Sequence, residues 1–397
     1  MSLPQPFRAH VQIVAAVITI IALTLWALPS SASAVNWSIQ TTPNANGAEH
    51  SALYDLSCFE TFFKCVSVGK QTDSGGKSST YAQAYNGTSW TNISSGTPEG
   101  ASAAELQSVD CFWLLENLVC HAAGSYASSG VTKSLIVSGS NAGLTTVELP
   151  PNPEGASETA FKGMACRIVF TPCVAVGYSV VSGKKTAFVV GLSESKWLTQ
   201  TIPEPESATS SELHGVDCPA SNFCMAVGSY TLSGGAQWAW SASWNGTSWT
   251  LRTVAKPTES KGSILLDVFC SSSSSCRGVG GYKNASGVQV SFVESWNGVN
   301  WSHQSSPNPV GSTNTVFQGV SCIPSPCVAV GDWFNGKMWQ PMAQAWSGSA
   351  WALDTTPTPE GASFSLLEGV TCRSTGCLAS GWYTDAGGKN KTLGEKR

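Results

Sequence analysis

The sequence predicts an all-β protein made of seven copies of one unit. All 14 cysteines fall into seven local pairs, and a glycine follows four residues after the second cysteine of each pair. The first cysteines recur at intervals of 50 to 55 residues, which indicates a structural repeat. Asn-Gly turns between tryptophans recur later in the repeat. The pairs are Cys58 with Cys65, Cys111 with Cys120, Cys166 with Cys173, Cys218 with Cys224, Cys270 with Cys276, Cys322 with Cys327 and Cys372 with Cys377, and the glycines are Gly69, Gly124, Gly177, Gly228, Gly280, Gly331 and Gly381.

The first two strands of the unit are predicted on either side of the cysteine pair. Apolar residues stand five and two positions before the first cysteine, as in a buried strand that ends there. After the second cysteine, runs such as Cys173 to Tyr178 carry small residues at alternate positions, which places them on one face of a strand. A disulfide across the turn would join these two neighbouring antiparallel strands. The residues five before the first cysteine are Leu53, Leu106, Phe161, Leu213, Leu265, Phe317 and Leu367.

The third and fourth strands are predicted to form a tight hairpin. Its turn reads Trp244-Asn245-Gly246-Thr247-Ser248-Trp249 in the fourth copy, and Asn-Gly is the dipeptide that tolerates positive φ at both turn centres. The fourth strand runs into a Pro-rich connection such as residues 356–361. The repeat therefore consists of four antiparallel strands.

The two ends of the chain supply complementary parts of one unit. The last copy stops at Arg397, where its hairpin turn and fourth strand should begin. The missing part is near the other end, because Val35-Asn36-Trp37 matches Val299-Asn300-Trp301 and a Pro-rich connection follows it. The N-terminal strand is therefore expected to join the C-terminal unit and to close the ring of units.

These repeats resemble the blades of a secreted seven-bladed β-propeller, and the resemblance covers the whole mature chain. The turn at 243–249 occupies the place of the Asp-box of sialidase-like propellers, S-x-D-x-G-x-x-W, which is one residue longer, and Gly280-Gly281 matches the double glycine of kelch blades. The resemblance implies a closed seven-bladed β-propeller of four-stranded antiparallel blades over residues 35–397. Such a fold does not by itself imply an activity.

Residues 1–34 are predicted to be a signal peptide. Arg8 and His10 precede an apolar run over 11–28, and Ala32-Ser33-Ala34 supplies the small residues of a cleavage site. An uncleaved membrane anchor is the alternative, because the run approaches the length of a membrane span. Cleavage after Ala34 predicts a secreted protein, located outside the cell or in the cell envelope.

Export is consistent with seven disulfides, because disulfides persist in an oxidising compartment. Structural zinc is the alternative, but it requires four ligands at tight spacings, whereas the paired cysteines are five to nine residues apart. We therefore predict one disulfide in each pair and no metal site. The sequence has no P-loop, H-E-x-x-H or dinucleotide-binding motif, so no cofactor is expected.

Four aspartates are the candidate catalytic residues. They stand three or one positions before a first cysteine, on the strand that is expected to line the central channel. Glycosidases and lyases use such carboxylates near the propeller axis. The alternative is that they bond backbone or side-chain donors between blades, which is a common role of Asp. The four are Asp55, Asp110, Asp217 and Asp267.

Five aromatic residues are the candidate ligand-binding residues. They stand six positions after the second cysteine, where the second strand reaches the face opposite the disulfides. Aromatic rings with polar tips suit stacking on sugar rings. The alternative is that they wedge between adjacent blades as part of the core. We call them the aromatic crown: Tyr126, Tyr230, Tyr282, Trp333 and Tyr383.

Charge excludes one class of partner. The net charge is −4 and only 12% of the residues are charged, so no basic stripe is available for a phosphate backbone. We predict a monomeric extracellular recognition module for a polysaccharide or a protein, with no nucleic-acid or membrane partner. The alternative is a secreted carbohydrate-active hydrolase or lyase that uses the channel aspartates. A passive scaffold of near-uniform blades is a third possibility.

Overall fold

The structure is a computed structural model, which describes residues 35–59, 64–114, 117–166, 173–322 and 326–397. The predicted signal peptide lies outside these residues. All regular secondary structure in the described ranges is β-strand. These ranges contain no helix that is long and apolar enough to cross a membrane.

The described residues form 28 strands, most of which pair antiparallel with the strand before or after them in the chain. Strands β1 to β14 are β1 (Ser38–Gln40), β2 (His50–Phe59), β3 (Lys64–Thr72), β4 (Ser78–Tyr85), β5 (Trp90–Ser95), β6 (Ala103–Leu114), β7 (Asn117–Ser128), β8 (Val131–Ser140), β9 (Gly143–Glu148), β10 (Ala156–Ala165), β11 (Val174–Val181), β12 (Lys184–Ser193), β13 (Lys196–Gln200) and β14 (Ala208–Ala220). Strands β15 to β28 are β15 (Phe223–Leu232), β16 (Gln237–Trp244), β17 (Trp249–Arg252), β18 (Gly262–Ser272), β19 (Ser275–Lys283), β20 (Gln289–Trp296), β21 (Trp301–Gln304), β22 (Asn314–Cys322), β23 (Cys327–Phe334), β24 (Trp339–Trp346), β25 (Trp351–Leu353), β26 (Phe364–Arg373), β27 (Gly376–Thr384) and β28 (Asn390–Lys396).

Antiparallel pairing divides the 28 strands into seven units of four strands each. Units 1 to 6 are β2–β5, β6–β9, β10–β13, β14–β17, β18–β21 and β22–β25. Unit 7 is one sheet in the order β1-β28-β27-β26. The first strand of each unit contacts the first strand of the next unit, and the first strand of unit 7, β26, contacts that of unit 1, β2.

The two ends of the described chain meet in unit 7. Ser38 of β1 is paired with Lys396 of β28. Arg397 forms an ion pair with Asp354 at 2.7 Å, and the indole nitrogen of Trp37 donates to the same carboxylate at 3.2 Å. Asp354 at the end of unit 6 therefore binds the two residues that flank this sheet, Trp37 before β1 and Arg397 after β28.

Seven disulfides join the first and second strands of the seven units. Their Cα atoms are 3.9 to 4.3 Å apart, and in units 1, 2, 5, 6 and 7 the two cysteines are direct partners across the first and second strands. Such a set of disulfides is typical of a protein that folds in an oxidising compartment. The predicted pairing is confirmed in every unit: Cys58 is bonded to Cys65, Cys111 to Cys120, Cys166 to Cys173, Cys218 to Cys224, Cys270 to Cys276, Cys322 to Cys327 and Cys372 to Cys377.

The core consists of the apolar faces of stacked neighbouring units. The Leu or Phe five positions before each first cysteine is fully buried in all seven units. The tryptophans that open the fourth strands are also buried, and several hold the preceding unit through the indole N–H. Trp249, for example, donates to Gln200 at 2.8 Å. Each unit therefore covers the apolar face of its neighbour.

Candidate functional site

Each first strand carries one bulged residue at the same position of the repeat. In unit 3, Phe161 pairs with Gly177 and Gly163 pairs with Val176, so Lys162 between them has no partner on the second strand. A bulge takes a side chain out of the regular alternation of a strand. The bulged residue stands four positions before the first cysteine, and the seven are Tyr54, Gln107, Lys162, His214, Leu266, Gln318 and Glu368.

Glycine on the second strand makes room for the bulge. A Cβ atom at Gly177 would lie 2.0 Å from the carbonyl oxygen of Ala160 and 2.8 Å from Cα of Phe161. At the equivalent glycine of the other six units, the Cβ atom would lie 2.0 to 2.1 Å from a carbonyl oxygen. Only glycine allows the backbones to approach this closely. The glycine that marks the repeat is therefore a requirement of the bulge.

All seven bulged residues line one cavity of about 190 Å³, which we call the central cavity. They differ in chemical type from unit to unit, whereas the residue just before each of them is always a buried Leu or Phe. The cavity is therefore asymmetric although the fold repeats. Its wall is completed by residues of the adjoining positions, among them Asp55, Ser108, Gly163, Gly215, Asp267 and Gly369.

Glu368 is the acidic member of the bulged set. The indole N–H of Trp382 lies 3.4 Å from Oε1 of Glu368. Burial, with a smaller effect of the nearby Asp332 carboxylate, raises the pKa of Glu368 to about 8, and Lys162 partly opposes this rise. The carboxyl is therefore mainly protonated at neutral pH.

His214 and Tyr54 are both neutral near pH 7. Burial lowers the pKa of His214 to about 4, although Glu212 Oε1 lies 3.7 Å from its Nε2. Burial also raises the pKa of Tyr54, with help from the carboxylates of Glu105 and Glu368. An unprotonated imidazole and a protonated phenol therefore line the same cavity, the first able to accept a proton and the second able to donate one.

The four candidate aspartates line a second, larger cavity of about 790 Å³ on the disulfide side, and two of them, Asp55 and Asp267, also line the central cavity. Oδ2 of Asp55 accepts hydrogen bonds from the Val109 amide at 2.9 Å and from the Ser108 hydroxyl at 2.8 Å. Oδ2 of Asp267 accepts one from the Val320 amide at 2.8 Å. Burial is the main cause that raises their pKa values to about 6 and about 7.

The other two aspartates bond the next unit in the same manner. Oδ2 of Asp110 accepts from the Cys166 amide at 2.8 Å, and Oδ2 of Asp217 accepts from the Cys270 amide at 2.7 Å. The Cys270 amide lies on β18, and the Cys166 amide directly follows β10. All four aspartates therefore hold adjacent units together, and a catalytic role for them stays a prediction.

The aromatic crown is largely embedded in the core. Each of its five rings belongs to, or packs against, a hydrophobic cluster of its unit. The Tyr282 ring, for example, lies 5.6 Å from the rings of Phe292 and His303. Tyr126 lines a cavity of about 270 Å³ and Trp333 one of about 280 Å³. Ligand binding by the crown stays a prediction.

Sequence reasoning missed the bulged set. Its signal was available, because the position four before the first cysteine lies within a repeating apolar pattern yet holds Tyr, Gln, Lys, His, Leu, Gln and Glu in turn. The pattern gave no reason to expect a bulge there, and in a regular strand the residue would simply alternate with its neighbours.

No protein-family model matches the sequence, and no curated protein matches it. Among solved structures, the chain is similar to an ulvan lyase of polysaccharide lyase family PL25 bound to -[GlcA(1-4)Rha3S]-, with a TM-score of 0.55 and 8% identity over 90% of this chain and 94% of that chain. It is also similar to a protein of unknown function from Dyadobacter fermentans, with a TM-score of 0.48 and 8% identity over 77% of this chain and 96% of that chain. A third similar structure is Trypanosoma rangeli sialidase, with a TM-score of 0.49 and 9% identity over 91% of this chain and 60% of that chain. The likeness to the ulvan lyase shows an all-β, propeller-like fold.

Proposed function

We propose that the protein is a secreted, closed seven-bladed β-propeller that binds a glycan in its central cavity. The cyclic order of contacts among the first strands, from β2 to β26 and back to β2, supports the closed ring. The seven disulfides support export, with cleavage of the signal peptide after Ala34. The propeller-like ulvan lyase acts on a polysaccharide, and this supports a glycan as the ligand.

The observation that carries the proposal is the convergence of the seven bulged residues on one polar cavity. A passive scaffold requires only the features that repeat, namely the buried Leu or Phe, the disulfide and the interunit hydrogen bonds. The residue type at the bulged position varies, with glutamine in two units and a different residue in each of the other five, and these side chains are mainly hydrogen-bonding groups. Such a concave site with convergent polar groups is typical of ligand binding.

A second candidate function is glycan cleavage by β-elimination, which His214, Tyr54 and Lys162 favour because they line the same cavity. In this reaction a base removes the proton next to a sugar carboxylate, the C–O bond to the neighbouring sugar breaks, and a C=C bond forms. The leaving oxygen takes a proton from an acid. His214 would act as the base, Tyr54 as the acid, and Lys162 would neutralise the carboxylate.

A panel of neutral and acidic polysaccharides, incubated with the oxidised chain 35–397, tests both functions. Retention without product supports a binding module. New reducing ends together with ultraviolet absorbance from a C=C bond support the eliminating enzyme, and new reducing ends alone support a hydrolase. No retention and no product from any polysaccharide would contradict both.

A matched pair of variants locates the site. Leu266→Trp enlarges a bulged residue and is expected to fill part of the cavity, whereas Leu251→Trp enlarges an exposed residue of an outer strand. We expect Leu266→Trp to abolish retention and Leu251→Trp to leave it unchanged. Equal retention by both variants, with unchanged folding, would move the site away from the central cavity.

A further inference from the structure

Three lysines lie in or beside the central cavity and the cavity next to it, and two of them are paired with carboxylates. Lys70 lies 3.4 Å from Glu105, and Lys185 lies 3.2 Å from Glu212. Lys162, by contrast, has no carboxylate within ion-pair distance in the part of the chain that the structure describes. Lys162 is also half-buried, so the charge is only partly hydrated. A cation in this position is stabilised by an anion that enters from solution.

The wall beside Lys162 carries no side chain at the position after the bulge in units 3 and 4, where the backbone packs directly on the next unit. The residues that follow the bulge in units 3 and 4 are Gly163 and Gly215, and both line the cavity. In units 1 and 5 the same position holds Asp55 and Asp267, whose carboxylates occupy the wall. Lys162 also lines the neighbouring cavity of about 270 Å³, which is formed by residues of units 1, 2 and 3.

We infer that the glycan bound in the central cavity is anionic, and that Lys162 binds its carboxylate or sulfate group. This inference rests on the proposed function and names the class of its ligand. Lys162 is the one bulged residue with a permanent positive charge. The two glutamines of the bulged set, Gln107 and Gln318, supply amide groups that can hydrogen-bond the sugar hydroxyls.

Protonation of the cavity wall is expected to control this binding. The titratable side chains that face Lys162 are Tyr54, Asp55, His214, Asp267 and Glu368 in the central cavity and Lys70, Glu105, Tyr126, Glu158 and Tyr178 in the neighbouring one. Asp55, Asp267 and Glu368 have pKa values of about 6, about 7 and about 8. As pH rises from 6 to above 8, these carboxyls lose their protons and the cavity becomes negative, so the anion should bind less tightly.

The test measures affinity of the oxidised chain 35–397 for polygalacturonate, dextran sulfate and neutral dextran. We expect binding of polygalacturonate, dextran sulfate or both, and about tenfold weaker binding by Lys162→Gln, the loss typical of one charge-assisted hydrogen bond. Lys162→Arg should keep most of the affinity. Lys184→Gln removes an exposed lysine of the same unit and is the matched control, which should bind as the wild type does.

The outcomes separate this inference from the proposed function. Binding of neutral dextran alone would overturn the anionic class and leave glycan binding in place. Equal losses in Lys162→Gln and Lys184→Gln would also overturn the inference, because they indicate attraction to the surface charge as a whole. Binding of no polymer would contradict both. A carboxylate ligand and a sulfate ligand are distinguished by which of the two anionic polymers binds.

Discussion

The backbone amide of Cys166 donates a hydrogen bond to Oδ2 of Asp110 at 2.8 Å, across the boundary between units 2 and 3. The same relationship recurs at other boundaries, where the side chain just before one first cysteine accepts from the amide of the next first cysteine. The other pairs are Ser57 with Cys111 at 3.1 Å, Asp217 with Cys270 at 2.7 Å and Ser321 with Cys372 at 3.0 Å. Polar residues at this position therefore stabilise the boundaries between units.

Asp110→Ala is expected to lower the free energy of unfolding by about 1–3 kcal/mol, because the Cys166 amide and the Ser57 hydroxyl lose their acceptor. Urea denaturation measures the change. Glu206→Ala, which removes an exposed carboxylate, is the control and should change stability by less than about 0.5 kcal/mol. Equal stabilities of the two variants would contradict the structural role of Asp110.

Gly177→Ala should destabilise the protein by about 3 kcal/mol, at the upper end of the cost of overpacking, because the added Cβ would lie 2.0 Å from the carbonyl oxygen of Ala160. Gly234→Ala is the matched control, since Gly234 has open space around it and no positive φ. Thermal unfolding of the two variants makes the comparison. If Gly177→Ala were as stable as Gly234→Ala, glycine would not be required for the bulge.

Glu395→Gln should stabilise the protein at pH 7. Glu395 is fully buried, its two carboxylate oxygens have no hydrogen-bond donor in the described residues, and burial raises its pKa from 4.5 to about 8. Between these two values the folded protein holds a proton that the unfolded chain has lost, so the free energy of unfolding falls as pH rises. Glutamine removes this dependence and should add on the order of 2–3 kcal/mol at pH 7.

The reverse substitution is the control. Gln344 occupies the equivalent position of unit 6 and donates its amide hydrogen to the carbonyl of Pro307 at 2.6 Å. Gln344→Glu should therefore lower stability and introduce a loss between pH 4.5 and 8. Denaturant unfolding over this pH range measures both variants, and parallel pH profiles for Glu395→Gln and the wild type would contradict the account.

Removal of one disulfide should weaken the fold without abolishing it. The Cys322–Cys327 loop spans five residues, so the double variant Cys322→Ala, Cys327→Ala should lose about 2 kcal/mol in the chain-entropy model. The hydrophobic core of the unit remains. Near-ultraviolet circular dichroism and thermal unfolding measure packing and stability, and loss of cooperative unfolding would indicate that the disulfide is essential to the unit.

The all-β class and the disulfides could be predicted from the sequence because they depend on residues that recur. Leu53 and Cys58 have counterparts in every unit, and the spacing between such residues determines which of them share a strand and which face each other. The pairing of β1 with β28 follows from the same comparison, because Trp37 repeats Trp301. The predicted role of residues 1–34 lies outside the described part of the chain.

The central cavity could not be predicted in the same way. Lys162 and His214 are four residues before their cysteines, but only the bulge directs them to the same cavity, and the bulge depends on a close approach between two backbones. The aspartates illustrate a second difficulty. Asp55 and Asp110 have the residue type that catalysis requires, and their hydrogen bonds to the amides of the next unit become visible only when adjacent units are in place.

The bulge separates the residues that stabilise the fold from the residue that lines the central cavity. Leu265, one residue before Leu266, is fully buried, and Asp267, one residue after it, bonds the next unit, so both are fixed by folding. The side chain of Leu266 is neither fully buried in the core nor hydrogen-bonded to the next unit. The same holds for the bulged residue in most of the other units. Under the proposed function, the ligand could therefore be changed by substituting up to seven side chains, one per unit, without altering the buried Leu or Phe and the hydrogen bonds between units.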